Sequence, residues 1–169
     1  MQWERFASLK GEFEAEGLSR EEIASEALFA ARRGLDYLVK IGGCEAKSDI
    51  DFLCRMGMTS VVAPMIESAF AMRKYQDMIP EGRFDHIGVT IETISAVERV
   101  EAILDAGRHL TDVTIGRSDL TASFDGTGVD SPETIAHVKT VARAARARGL
   151  AVTMGGSVNA KTRAVLQND

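Results

Sequence analysis

The stretch Gly107–Asp119, GRHLTDVTIGRSD, decides the fold. It opens on a glycine that follows a helical segment, runs through the apolar, β-branched DVTIG, and delivers a carboxylate just past it, after Arg117 and Ser118. Glycine beyond a helix accepts the left-handed conformation at little cost and turns the chain toward a strand. The phrase recurs: Gly34 leads into YLVKI, Gly57 into SVVAP and Gly149 into LAVTM. A further apolar run, HIGVTI, ends in Glu92.

Helix starts agree with these junctions. Ser19 and Glu22 form an S-x-x-E capping box, and Ser131 precedes Pro132 at the favoured first helical position. Apolar spacing predicts helices over 20–33, 46–56, 69–78, 93–105 and 132–148, with a last one from Asn159. Strands are predicted at 9–14, 37–41, 60–64, 86–91, 112–115 and 150–154. Alternating strands and helices imply right-handed crossovers and a parallel sheet, because parallel neighbours need the long connection a helix supplies. Six βα units are visible where a closed eight-unit barrel normally takes about 250 residues. Periodicity therefore leaves two readings, an open sheet and a barrel fragment. Residues 1–169 form a single domain, with FDGTGVD (124–130) as a loop.

Composition narrows the function. A net charge of -5 with scattered Lys and Arg argues against nucleic-acid binding. No apolar stretch reaches the roughly 20 residues that cross a bilayer, and MQWERFASLK lacks a signal-peptide core, so a cytoplasmic location and no membrane partner are expected. Cys44 and Cys54 are too few for a disulfide framework, and His86, His109 and His137 are isolated from one another.

In a parallel α/β protein the site lies at the C-terminal strand edge. That edge carries Glu12, Glu14 and Glu16; Lys40 with Gly42 and Gly43; Glu67; Glu92; Arg117, Ser118 and Asp119; and Gly155 with Gly156. Two hard oxygen ligands on adjacent strands, Glu92 and Asp119, suggest a divalent metal. The plainer reading makes both of them helix-capping acids.

The segments KIGGCEAKSDI, VAPMIESAFAM, VTIET and IGRSDLTASF resemble the HpcH/HpaI aldolase and citrate lyase β-subunit family, over about Lys10 to Ser157. The resemblance implies an α/β fold of the (βα)8 TIM-barrel type, here short of one or two βα units and C-terminally incomplete. It implies a divalent-metal-dependent lyase or aldolase in which Glu92 and Asp119 hold Mg²⁺ or Mn²⁺ against a pyruvate-type enolate. Lys40 stands where the family has a basic, usually arginine, side chain that polarises the carbonyl, and Arg117 is a second candidate. The N–H groups of Ser118 and Asp119 would receive the substrate carboxylate. Apart from the resemblance, Gly42–Gly43 and Gly155–Gly156 read equally as plain turns and as substrate contacts, since a glycine pair ahead of a helix lets an anion approach backbone N–H groups, and Glu67 is a substrate-binding candidate by its place after a strand end. The family's loop histidine is missing, which leaves Glu14 as the acid/base candidate. The expected ligand is a small 2-oxo acid or an acyl-CoA, and self-association is expected. Three alternatives remain: a citryl- or malyl-CoA type lyase, a non-catalytic barrel domain binding an oxo acid or partner subunit, and an open flavodoxin-like sheet.

Overall fold

Six short apolar runs become six strands: β1 (Ser8–Glu12), β2 (Asp36–Lys40), β3 (Ser60–Ala63), β4 (His86–Ile91), β5 (Asp112–Gly116) and β6 (Ala151–Gly155). Between them lie α1 (Arg20–Ala31), α2 (Lys47–Arg55), α3 (Ala69–Met78), α4 (Ile94–Glu98), α5 (Val100–Asp105), α6 (Arg117–Ala122) and α7 (Pro132–Arg146). These elements come from a computed structural model that describes residues 8–159 and Thr162.

All pairings are parallel and the strand order is β1-β2-β3-β4-β5-β6, without a reversal. That order removes the flavodoxin-like alternative, because a doubly wound sheet must reverse direction to place helices on both faces. Successive right-handed crossovers in one direction instead put every helix on the same face, as in a barrel wall. The result is a half-barrel whose edges, among the described residues, are β1 and β6.

Period-2 alternation separates the two faces. On β2 to β5, Tyr37, Val39, Val61, Ala63, Ile87, Val89, Ile91, Val113 and Ile115 pack in the core. The helices contribute Ile23, Ile50, Leu53, Met72, Tyr75, Ile103, Val138 and Val141 to the same cluster. The intervening residues, including Glu12, Lys40, Val62, Thr90 and Thr114, line the concave side. In β6 the pairing Val113↔Val152 carries Val152 and Met154 toward the helices.

Ser19 accepts from the Glu22 N–H and Glu22 accepts from the Ser19 N–H, so the capping box is complete. Ser131 caps α7 with Pro132 in its first turn. Three details differ from the sequence reading. The helix expected over 93–105 breaks at Arg99 (φ -114°, ψ 12°) into α4 and α5. The short α6 was not anticipated, since its six residues are too few to show a period. Gly107 does not adopt positive φ, unlike Gly34, Gly57 and Gly149; a Cβ there would lie 2.4 Å from Leu110 Cδ1, so close packing is what requires glycine. The helix expected from Asn159 lies outside the described residues, Thr162 apart.

Gly34 has φ 65° and open space where a Cβ would stand, so only backbone conformation penalises a side chain. Gly34→Ala is expected to cost about 1 kcal/mol, measured as a lower urea midpoint with unchanged slope.

Candidate active site

The C-terminal ends of the strands enclose a cleft of about 230 Å³ lined by Lys10, Glu12, Lys40, Thr90, Glu92, Thr114, Gly116, Ser118, Asp119, Gly155 and Gly156, with Ala15, Leu38 and Val62 completing the wall. Its centre is Glu92. As the residue after β4 it continues the alternation onto the concave side, and Thr93 then caps α4 by accepting from the Ala96 N–H. Only 3% of Glu92 is exposed. Its Oε1 accepts from the Met65 N–H at 3.1 Å, a contact made by a residue held at φ 47°.

The glutamate leans across the neighbouring strand. A Cβ on Gly116 would lie 2.6 Å from Glu92 Oε2 and 2.7 Å from Glu92 Cβ, so the absence of a side chain there makes the crossing possible. Asp119, in the first turn of α6, lines the same cleft and acts on the Glu92 carboxyl. Burial pushes the Glu92 carboxyl up. The Lys40 charge and the Met65 N–H pull it down, but Asp119 adds to the upward push. Two carboxyls sharing a partly desolvated site oppose each other's ionisation.

The opposite wall has its own charges. Glu12, paired in register with Lys40, is 5% exposed; it accepts from Lys40 Nζ at 2.8 Å and also from Lys10. Burial opposes its ionisation, yet the two ammonium groups together hold its carboxyl below the usual range.

The residues singled out from sequence divide sharply. Lys40, Ser118, Gly155 and Gly156 share the cleft with Glu92 and Asp119. Glu14 does not line it: β1 ends at Glu12, the chain bends over 13–16, and Glu14 is exposed. The carboxylate that β1 delivers is Glu12. Gly42 and Gly43 also lie off the lining; the Gly42 N–H donates to Asp49 Oδ2 at 3.0 Å in the turn entering α2. Glu67 is exposed and accepts from Thr93 Oγ1 at 2.6 Å, tying two loops together outside the cleft.

Arg117 needs the largest correction. Its side chain is fully buried, with Nη1 on Asp130 Oδ1 at 2.6 Å, Nη2 on the Gly156 carbonyl at 2.8 Å and Nε on the Gly155 carbonyl at 3.3 Å. It therefore clamps the end of β6 and the 124–130 loop to the start of α6 and has no fork left for a substrate. Gly156 (φ 79°) is pressed so tightly onto this junction that a Cβ would meet the Ser118 nitrogen at 2.5 Å. Sequence reasoning missed Lys10 and left Glu12 in an undifferentiated acidic group; the alternation Lys10, Glu12 along β1 was the available signal.

A one-directional parallel half-barrel with acidic and basic groups gathered at its C-terminal mouth defines a barrel-type α/β enzyme class. The chain belongs to the HpcH/HpaI aldolase/citrate lyase family, whose model matches residues 22–167. Its fold is similar to that of the HpcH/HpaI aldolase from Desulfitobacterium hafniense DCB-2 (TM-score 0.82, 18% identity), with 98% of this chain and 74% of that one covered. An HpcH/HpaI aldolase/citrate lyase family protein from Burkholderia cenocepacia J2315 gives TM-score 0.84 at 16% identity, covering 98% and 77%. The citrate synthase SbnG gives 0.82 at 13%, covering 98% and 74%. No curated protein sequence matches the chain significantly. Among the described residues no helix is long and apolar enough to cross a membrane.

The depressed Glu12 carboxyl has a stability consequence. Its folded pKa lies below the ordinary 4.5, so it contributes stability above that pH and loses it as pH falls through the folded value. The urea-midpoint advantage of wild type over Glu12→Gln is expected in full at about pH 6 and should shrink as pH falls below the ordinary value of 4.5.

Proposed function

We propose that the chain is a divalent-metal-dependent carbon–carbon lyase or aldolase acting on a 2-oxo acid of the pyruvate type through its enolate. The observation that carries this reading is the Glu92–Asp119 pair, two carboxylates lining one cleft at the mouth of the half-barrel and acting on each other there. Hard carboxylate oxygens suit Mg²⁺ or Mn²⁺, and the crowded pair is a donor set that positive charge would relieve. Among the described residues no group of three or more His, Cys, Asp or Glu is placed to hold a metal. Two protein ligands leave the remaining positions to water and substrate oxygens. A cation held there would supply Lewis-acid stabilisation to the oxygens of a 2-oxo acid.

The chain's own groups account for the rest. Lys40 presents an ammonium, 14% exposed, on the wall facing Glu92. There it offsets negative charge developing on a substrate oxygen; as a point charge it lacks arginine's bidentate fork but keeps its sign. Ser118 supplies polar contacts for the substrate carboxylate, beside the Gly155–Gly156 backbone. The Met65 N–H fixes one oxygen of Glu92 and leaves the other directed past Gly116. At about 230 Å³ the cleft has room for roughly eight water-sized groups. A small oxo acid fits within that space.

The test is exchange of the pyruvate methyl protons into deuterated water, followed by NMR with Mg²⁺ or Mn²⁺ present. Exchange is expected for the wild-type protein, to stop on chelation, to be lost in Glu92→Ala, and to fall by about 100-fold in Lys40→Met. Full activity in Glu92→Ala contradicts the assignment. Metal and pyruvate binding without exchange would instead establish the non-catalytic binding domain.

A further inference from the structure

Lys10, Glu12 and Lys40 form a charge cluster on the cleft wall opposite the two acids, and the reading of the site above uses only Lys40. We propose that Glu12 is a positioning residue that aims the Lys40 ammonium into the cleft, while Lys10 restores the positive charge that Glu12 alone would cancel. This rests on the reading of the cleft as a 2-oxo-acid site.

The register carries the argument. Glu12 and Lys40 are direct partners on adjacent parallel strands, both on the concave side, and their charged ends meet at 2.8 Å. A lysine ammonium rides on a flexible four-carbon stem, so an untethered Lys40 would spread over many rotamers. A buried carboxylate directly across the ladder removes that freedom before any ligand arrives, which is what an electrostatic role requires. Lys40 lines the same cleft as Glu92, and Glu92 feels its charge.

A simple ion pair would undo the benefit, because a neutral Glu12–Lys40 couple projects little field onto a substrate oxygen. Lys10 resolves this. It lies two residues before Glu12 on the same strand and face, and its Nζ reaches Glu12 Oε1 while Lys40 holds Oε2. Two ammonium groups on one carboxylate leave a single net positive charge, and each nitrogen keeps donors that Glu12 does not use. Lys10 is 47% exposed against 14% for Lys40, so the more shielded cation is the one whose charge acts on Glu92. The cluster thus provides a fixed cationic wall without a histidine or an arginine.

A double-mutant cycle tests this, with wild type, Glu12→Gln, Lys40→Met and the double variant compared for pyruvate proton exchange with Mn²⁺. Oxalate binding by calorimetry in the presence of Mn²⁺ is measured on the same four proteins. Glu12→Gln should lower kcat by roughly tenfold with little change in KM. The double variant should be no slower than Lys40→Met, because Glu12 acts through Lys40. Effects that multiply, or unimpaired exchange in Glu12→Gln, overturn the positioning role. If Glu12→Gln fails to fold, Glu12→Asp takes its place, keeping the charge but withdrawing it from Lys40, with the same outcomes decisive. A wild-type protein that binds oxalate without exchange moves the cycle to oxalate affinity, judged by the same rule. One that neither exchanges nor binds oxalate refutes the oxo-acid reading, and this proposal with it; the two failures are thereby distinct.

Discussion

The pairing of β4 with β5 governs the rest of the site. It sets Thr90 beside Thr114 and Ile91 beside Ile115, so that Glu92 emerges next to Gly116 with its side chain on the concave face. A one-residue slip would turn Glu92 toward the helices and bring a core isoleucine into the cleft. With the observed register the two acids line one cleft, and the missing Cβ at Gly116 makes room for the Glu92 side chain. Bringing together like charges that are partly removed from water costs free energy, offset in part by Lys40 and the Met65 N–H. Such a cost makes physical sense where the pair has a ligand to hold.

Around that pair the loops are stitched to one another. Glu67 joins the β3 loop to Thr93, the Ile94 N–H donates to Ser123 Oγ at 2.8 Å, and Arg117 ties α6 to the end of β6 and to Asp130. Asn159 and Arg117 hold the Asp130 carboxyl below its usual range. These contacts do not touch the cleft's interior. They make its rim rigid, so that the groups inside are held near one geometry rather than carried on independent loops.

Much of this was legible because the strands are buried on the helix side and read as apolar, β-branched runs. The βα phrase, the two site acids and Lys40 follow from that pattern. What escaped did so for physical reasons. Glu14 was a candidate because it stands in the loop where the family's histidine is missing; β1 stops at Glu12, which keeps the inward direction that Glu14 loses. Arg117 looked available because arginine is rarely fully buried, and nothing local announces that Asp130, Thr162 and three carbonyls will consume its donors. Gly42–Gly43 resembled an anion-binding turn, but Asp49 takes the Gly42 N–H. The break at Arg99 has neither proline nor glycine to mark it, and the ordering of Lys10 and Lys40 around one carboxylate depends on a strand register that sequence does not state.

The central claim is that Glu92 and Asp119 grip one cation between them. Anomalous diffraction at the manganese edge, from crystals soaked in Mn²⁺, addresses it directly. The account predicts a single peak in the cleft within roughly 2 Å of a carboxylate oxygen of each residue. A cleft without a peak, or a peak on one acid with the other turned away, contradicts it.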